Sequence, residues 1–200
     1  MLFFKRGAMF GLDARIALAI FGALSVISGA ALYSAIQHSK VVALITESNE
    51  IVKAIEAYRL DTGVDLETAT SLMLEMKHLW EDSGVAGWNG PYYQGSIDTD
   101  SSGQGRVDHP LYDWFTIDMA PDISFDYSPD VGGCSAVANA GESCVFWVVW
   151  DEVPTATAKA VEEELDTTLD PANGKVRYSD RTPGTSILYI HSGIRSLKQY

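Results

Sequence analysis

Proline is missing from Met9 to Leu60, and charge is missing from Ile16 to Ile36. The first absence removes the residue that breaks helices. The second leaves a run of about 20 residues fit only for a bilayer or for a packed bundle of helices. Cysteine is scarce, with two residues, and the four histidines, His38, His78, His109 and His191, are scattered without metal-ligand spacing. Basic residues are few. Fourteen Lys and Arg stand against 27 Asp and Glu, a formal net charge of −13, and an acidic surface of this kind repels phosphate backbones, so nucleic-acid binding by the isolated subunit is disfavoured. A Gly-rich phosphate loop is also lacking. No nucleophile is paired with a base, and Glu162, Glu163 and Glu164 read as a solvated helix face, so nothing in the sequence points to an enzyme.

What is present begins with a short basic leader. Lys5 and Arg6 precede Gly7-Ala8, then come Met9-Phe10-Gly11-Leu12-Asp13 and the apolar run. A proline-free stretch from Met9 to Leu60 predicts a helical rod of roughly 75–80 Å. Its first half is apolar all round and rich in small residues, among them Ala17, Gly22, Ala23, Ser28, Gly29 and Ala30, which let helix backbones approach closely. Without a proline, any local loosening of that half falls to Gly22 and Gly29. In the second half Val41, Leu44, Ile45, Ile51 or Val52, Ile55 and Tyr58 recur at three- and four-residue steps, while Glu47, Asn49, Glu50, Lys53 and Glu56 take the other faces. Asp61-Thr62-Gly63 supplies the stop. The basic leader orients the bulk of the chain away from the cytoplasm by the positive-inside rule.

Gly7-Ala8 before Met9, with a carboxylate five residues into the following helix, resembles the type IV pilin and type II secretion pseudopilin superfamily. The resemblance implies cleavage by a prepilin peptidase between Ala8 and Met9, so that Gly7, Ala8 and Met9 form the processing site. Removing the leader takes Lys5 and Arg6 with it and leaves 12 basic residues against 27 acidic, a net −15. The resemblance also implies that Asp13 pairs with the new amino group of a neighbouring Met9, setting the register of a homo-oligomeric helical filament. Where the family most often has Gly, Phe and Glu, this chain has Ala8, Met9 and Asp13. Arg15 is less usual, and its long side chain can snorkel to the cytoplasmic interface. Two other readings of the segment stay open: a secretory signal peptide ending at Ser28-Gly29-Ala30, and a signal-anchored periplasmic binding module for which the helix is only a tether.

Three parts follow: a leader over 1–8, a long helix over 9–60 and an α+β head over 61–200, with an antiparallel sheet packed on the helix stripe. Cys134 and Cys144 are expected to pair in an exported head, closing a short loop for roughly 2–3 kcal/mol; in a reducing compartment they would be two thiols. Apolar spacing from Leu66 to Trp80 predicts a second helix over 65–80. Gly87-Trp88-Asn89-Gly90-Pro91-Tyr92-Tyr93 predicts turns that hold aromatic rings against the head, and with Tyr58 to Gly63 it resembles the corresponding segments of major pseudopilins. Strands are expected at 123–127, 145–150, 175–179 and 186–191, the second of them central, and a helix over 154–169. The segment from Leu165-Asp166 through Gly174 to Val176-Arg177 is similar to a helix–turn–strand near the C-terminal end of pilin-like proteins.

Asp98, Asp100, Ser102 and Gly103 occupy the first, third, fifth and sixth places of an EF-hand-type loop, with His109 instead of Glu at the twelfth and Asp108 beside it. A structural calcium held by Asp98, Asp100, Ser102 and Asp108 is one reading, a solvated polar loop the other. The partners implied by the resemblance are the prepilin peptidase, an inner-membrane assembly platform and other pilins. The implied location is the inner membrane for the precursor, then an extracellular pilus or a periplasmic pseudopilus.

Overall fold

The computed structural model describes residues 10–70, 72–94, 105–121, 134, 144–167 and 169–197. It divides into two compact units, residues 1–42 and 43–200. Helix α1 runs without interruption from Phe10 to Thr62, through Gly22 and Gly29 as well. Over 13–36 its side chains are exposed and mostly apolar, and it is long and apolar enough to cross a membrane by length and composition.

The second unit begins inside the helix rather than at its end, because the apolar stripe makes the last twenty residues part of the head's core. Leu44, Ser48, Ile51, Ala54, Ile55 and Tyr58 are buried, a spacing of three and four that keeps them on one face. Of the two residues that could continue the stripe, Ile51 is the buried one and Val52 is half-buried. The helix ends as the sequence predicts. Gly63 takes φ +72° and donates its N–H to the carbonyl of Arg59 at 2.9 Å.

Among the described residues five antiparallel strands form one sheet: β1 (Val107–Asp108), β2 (Trp114–Pro121), β3 (Cys144–Pro154), β4 (Val176–Asp180) and β5 (Thr185–Arg195), in the order β1-β2-β3-β5-β4. As expected, β3 is central. Phe115 opposes Trp150 and Ile117 opposes Val148, and this face meets α1: the Trp150 indole donates to Ser48, and the Arg59 guanidinium lies 5.6 Å from the Phe146 ring centre. The other face carries a second buried cluster, Trp114, Ala120, Val145, Trp147, Val149, Ile187 and Tyr189, with Leu72 against it. The head is therefore α+β, a long helix packed on an antiparallel sheet with one short helix, α2 (Thr155–Leu165), the arrangement expected of a pilin-like chain.

The helix predicted over 65–80 is not there. Among its described residues only Met76–Leu79 is helical, as a single 3-10 turn. Thr70 and β2 compete for the backbone. The Thr70 hydroxyl accepts the N–H of Met73 at 3.0 Å, the N–H of Leu74 goes to the carbonyl of Ile117, and that of Met119 goes to the carbonyl of Leu72. A side-chain hydroxyl that captures local N–H groups offers the backbone an alternative to helix, and the unpaired edge of β2 takes the rest.

Strand β2 itself was not anticipated. All eight of its residues are buried, so the polar alternation that marks a half-buried strand is missing. The strand expected at 123–127 lies outside the described residues. The last expected helix forms over a shorter span and ends at Leu165. Asp166 then accepts the N–H groups of Lys175 and Val176 at 3.1 and 2.8 Å, and Gly174, at φ +97°, lies so close that a Cβ there would stand 2.6 Å from the Asp166 carboxylate.

Candidate functional site

The processing residues Gly7, Ala8 and Met9 lie outside the described residues. Asp13 is exposed in the first turn of α1, where the unpaired N–H groups and the helix dipole favour a carboxylate. Beyond it the helix presents Phe21, Leu24, Val26, Ile27 and Leu32, each more than half exposed. Nothing approaches within 4 Å of where a Cβ would stand on Gly11, Gly22 or Gly29. Among the described residues of the first unit Asp13 is thus the one acid, with Arg15 two residues on and Lys40 beyond the apolar run. In water such an apolar surface drives association; in lipid it needs none, but there the acid needs a partner.

In the head, α1 is held by two polar clasps. At the first, His109 Nε2 lies 3.4 Å from Glu47 Oε2, the Tyr93 hydroxyl donates to Glu47 Oε1 at 3.2 Å, and His109 stacks on Tyr112 with ring centres 5.0 Å apart. His109 Nδ1 accepts the N–H groups of Leu111 and Tyr112 at 3.3 and 3.2 Å. That acceptor role places the ring proton on Nε2, facing Glu47. Burial, and then the Glu47 carboxylate, push the Tyr93 and Tyr112 hydroxyls to higher pKa. Just beneath, the Trp150 indole N–H donates to Ser48 Oγ at 2.9 Å and that hydroxyl donates to the carbonyl of Leu44 at 2.8 Å.

No family model, curated protein or solved structure matches this chain. The roles of its residues therefore rest on its own geometry.

At the second clasp the buried Asp65 carboxylate joins both ends of the head. Arg59 Nε is 3.0 Å from Oδ1, while the Ser196 hydroxyl and the Leu197 N–H donate to Oδ2 at 2.8 and 2.7 Å. Nearby, the predicted aromatic turn forms: Trp88 donates its indole N–H to the carbonyl of His78, and the Tyr92 hydroxyl donates to Asp61. Gly87, at φ +90°, approaches the carbonyl of Asp61 more closely than any Cβ could. On the far face of the sheet Asp118 is fully buried. Burial raises its pKa to about 7, although Arg106 pulls it back.

Cys134 and Cys144 are joined in a disulfide, Cα atoms 5.9 Å apart. The calcium loop fares differently. Asp98, Asp100 and Ser102 lie outside the described residues, Asp108 is exposed on β1, and no group of three or more His, Cys, Asp or Glu converges on a point among the described residues. His109, at the twelfth place of the loop, has Nδ1 on two backbone N–H groups and Nε2 on Glu47, so neither nitrogen is left for a metal.

Glu47 was expected on a solvent face. Its true role was hidden because both its partners, Tyr93 and His109, come from segments dozens of residues away. His109 was legible only as a member of the polar loop. Asp65 and Asp118 carried no local signal at all.

Proposed function

We propose that this chain is a structural subunit of a type IV pilus-like filament, processed after Ala8 and polymerised through the first half of α1. The reading is carried by one observation: a single unbroken helix whose first part is apolar, uncovered and headed by one carboxylate, and whose last part is clasped to a folded head. A tether needs neither the acid nor a stiff continuation into the head. A filament core uses both. Asp13 would take the Met9 amino group of a neighbour, so that the charge is neutralised as lipid contacts are exchanged for helix contacts. The clasps at Glu47 and Asp65 hold the last part of α1 within the head.

Electron microscopy of shear-released material tests the proposal. Filaments containing this chain are expected; a strictly membrane-bound monomer would return the helix to the role of a tether.

A further inference from the structure

At the C-terminal end of α1 the head carries an open groove of about 630 Å³, lined by Glu56, Arg59, Leu60, Ile194, Arg195 and Leu197. Leu60 is 85 % exposed and Leu197 56 %. Arg195 is exposed and has no ion-pair partner among the described residues, whereas Arg59 is held on Asp65. The groove thus sets Leu60, Ile194 and Leu197 beside two guanidinium groups, Arg195 without an ion-pair partner among the described residues and Arg59 on Asp65, with the exposed Glu56 carboxylate on its α1 side.

Elsewhere the head carries the complementary shape. Leu111, 75 % exposed, projects from the turn before β2, flanked by the exposed carboxylates of Asp108 and Asp113, neither of them in an ion pair among the described residues. The turn is stiff, since His109 Nδ1 gathers its N–H groups and the ring is wedged against Tyr112 and Trp150. A stiff apolar knob between two anions fits the Leu60, Ile194 and Leu197 side of the groove, with its anions toward the Arg195 guanidinium and away from Glu56.

The two surfaces cannot meet within one chain. His109 anchors the knob at Glu47, and the groove begins at Glu56 and Leu60, which puts them about 14–20 Å apart along α1. The sheet gives the same spacing. The knob packs against Trp150, while Ser196, beside the groove, bonds the carbonyl of Cys144 at the other end of β3, about 20 Å away.

We propose that the groove formed by the end of α1 and the end of β5 receives the Leu111 turn of a second copy of this chain, with Arg195 meeting Asp108 and Asp113. Knob and groove are different patches, so the contact is head-to-tail and leaves one of each free on every pair. In a filament of parallel subunits it repeats without closing, displacing successive contacting heads by about 20 Å along α1. The proposal rests on the filament reading and adds to it a contact between heads that the apolar helix does not supply. Each contact is small, and its strength comes from repetition along the polymer.

Cysteine cross-linking in cell envelopes and sheared material tests it, using the full chain carrying Leu60→Cys and Leu111→Cys together. The double variant is expected to give a ladder of trimers and higher oligomers on mild oxidation; either single variant stops at dimer. No ladder from a double variant that retains its Cys134–Cys144 bond would overturn the proposal. A cross-link from Leu60→Cys to a protein of another mass would overturn the choice of a second copy. Arg195→Glu is expected to lower the ladder by about tenfold or more, and adding Asp113→Arg to restore it; a double reversal as weak as the single would sink the pairing. A ladder that persists in Asp13→Ala while filaments are absent in wild type keeps the head contact and removes the filament reading. Wild-type filaments without a ladder remove the head contact alone.

Discussion

Glu47 and His109 face each other at 3.4 Å across the seam between α1 and the turn that leads into β2. One carboxylate there serves two donors, since Tyr93 bonds its other oxygen. Glu47→Ala removes the acceptor of both at once. A buried or half-buried donor left without a partner costs about 1–3 kcal/mol, and in a head of this size that lowers the melting temperature by about 2–4 °C per kcal/mol. A thermal melt of the purified chain in detergent checks the drop. No change would mean that the clasp carries nothing.

Ser48→Ala makes a sharper case, because the deleted hydroxyl is the acceptor of the Trp150 indole N–H. Burial of both leaves no water to replace it. The expected loss is about 1–3 kcal/mol, read as a lower urea midpoint with an unchanged slope.

Stability should fall as pH rises from about 4 to about 7. Asp118 has a folded pKa of about 7 and an unfolded one near 3.9, so between those values the folded state holds a proton that the unfolded state has released. Its contribution is whole below the lower value and lost as pH passes the upper one. The slope is up to about 1.4 kcal/mol per pH unit. Asp118→Asn should flatten the profile and make the variant the more stable protein at pH 8. Melts across pH 4 to 8 compare the two, and a wild-type curve that rises over this window contradicts the assignment.

Asp13→Ala is expected to leave the chain membrane-inserted and processed but unable to form filaments. Immunoblots of envelope and sheared fractions read the two outcomes separately. Normal filaments from the variant would remove the registration role of the acid.

The parts of the fold that could be read from the sequence are those whose partners are near in the chain or whose pattern is forced by one face. Leu44, Ile51, Ile55 and Tyr58 report a buried stripe whatever covers it. Val145 to Trp150 is too apolar to be anything but interior, and Asp166 and Gly174 mark a turn that closes over a few residues. The segment from Leu66 to Trp80 misled because its apolar spacing was compatible with a helix, while the deciding contacts, Leu74 with Ile117 and Met119 with Leu72, lie about 45 residues away in sequence. Strand β2 hid for the opposite reason: Asp118 and Pro121 look like loop residues, yet both are buried in it. For the candidate site, Asp13 draws attention because it is the one acid beside a run without charge. Glu47, Asp65 and Asp118 were not, since one acid among 27 is singled out only by what the fold brings to it.

The most direct measurement is the first residue of the mature protein, with its methylation state, by N-terminal sequencing and intact mass of the chain recovered from the cell envelope. A chain beginning at Met9 is the predicted result, leaving an amino group four residues before Asp13. A chain that still begins at Met1, or begins at Ala31 beyond the acid, contradicts assembly through a paired Asp13.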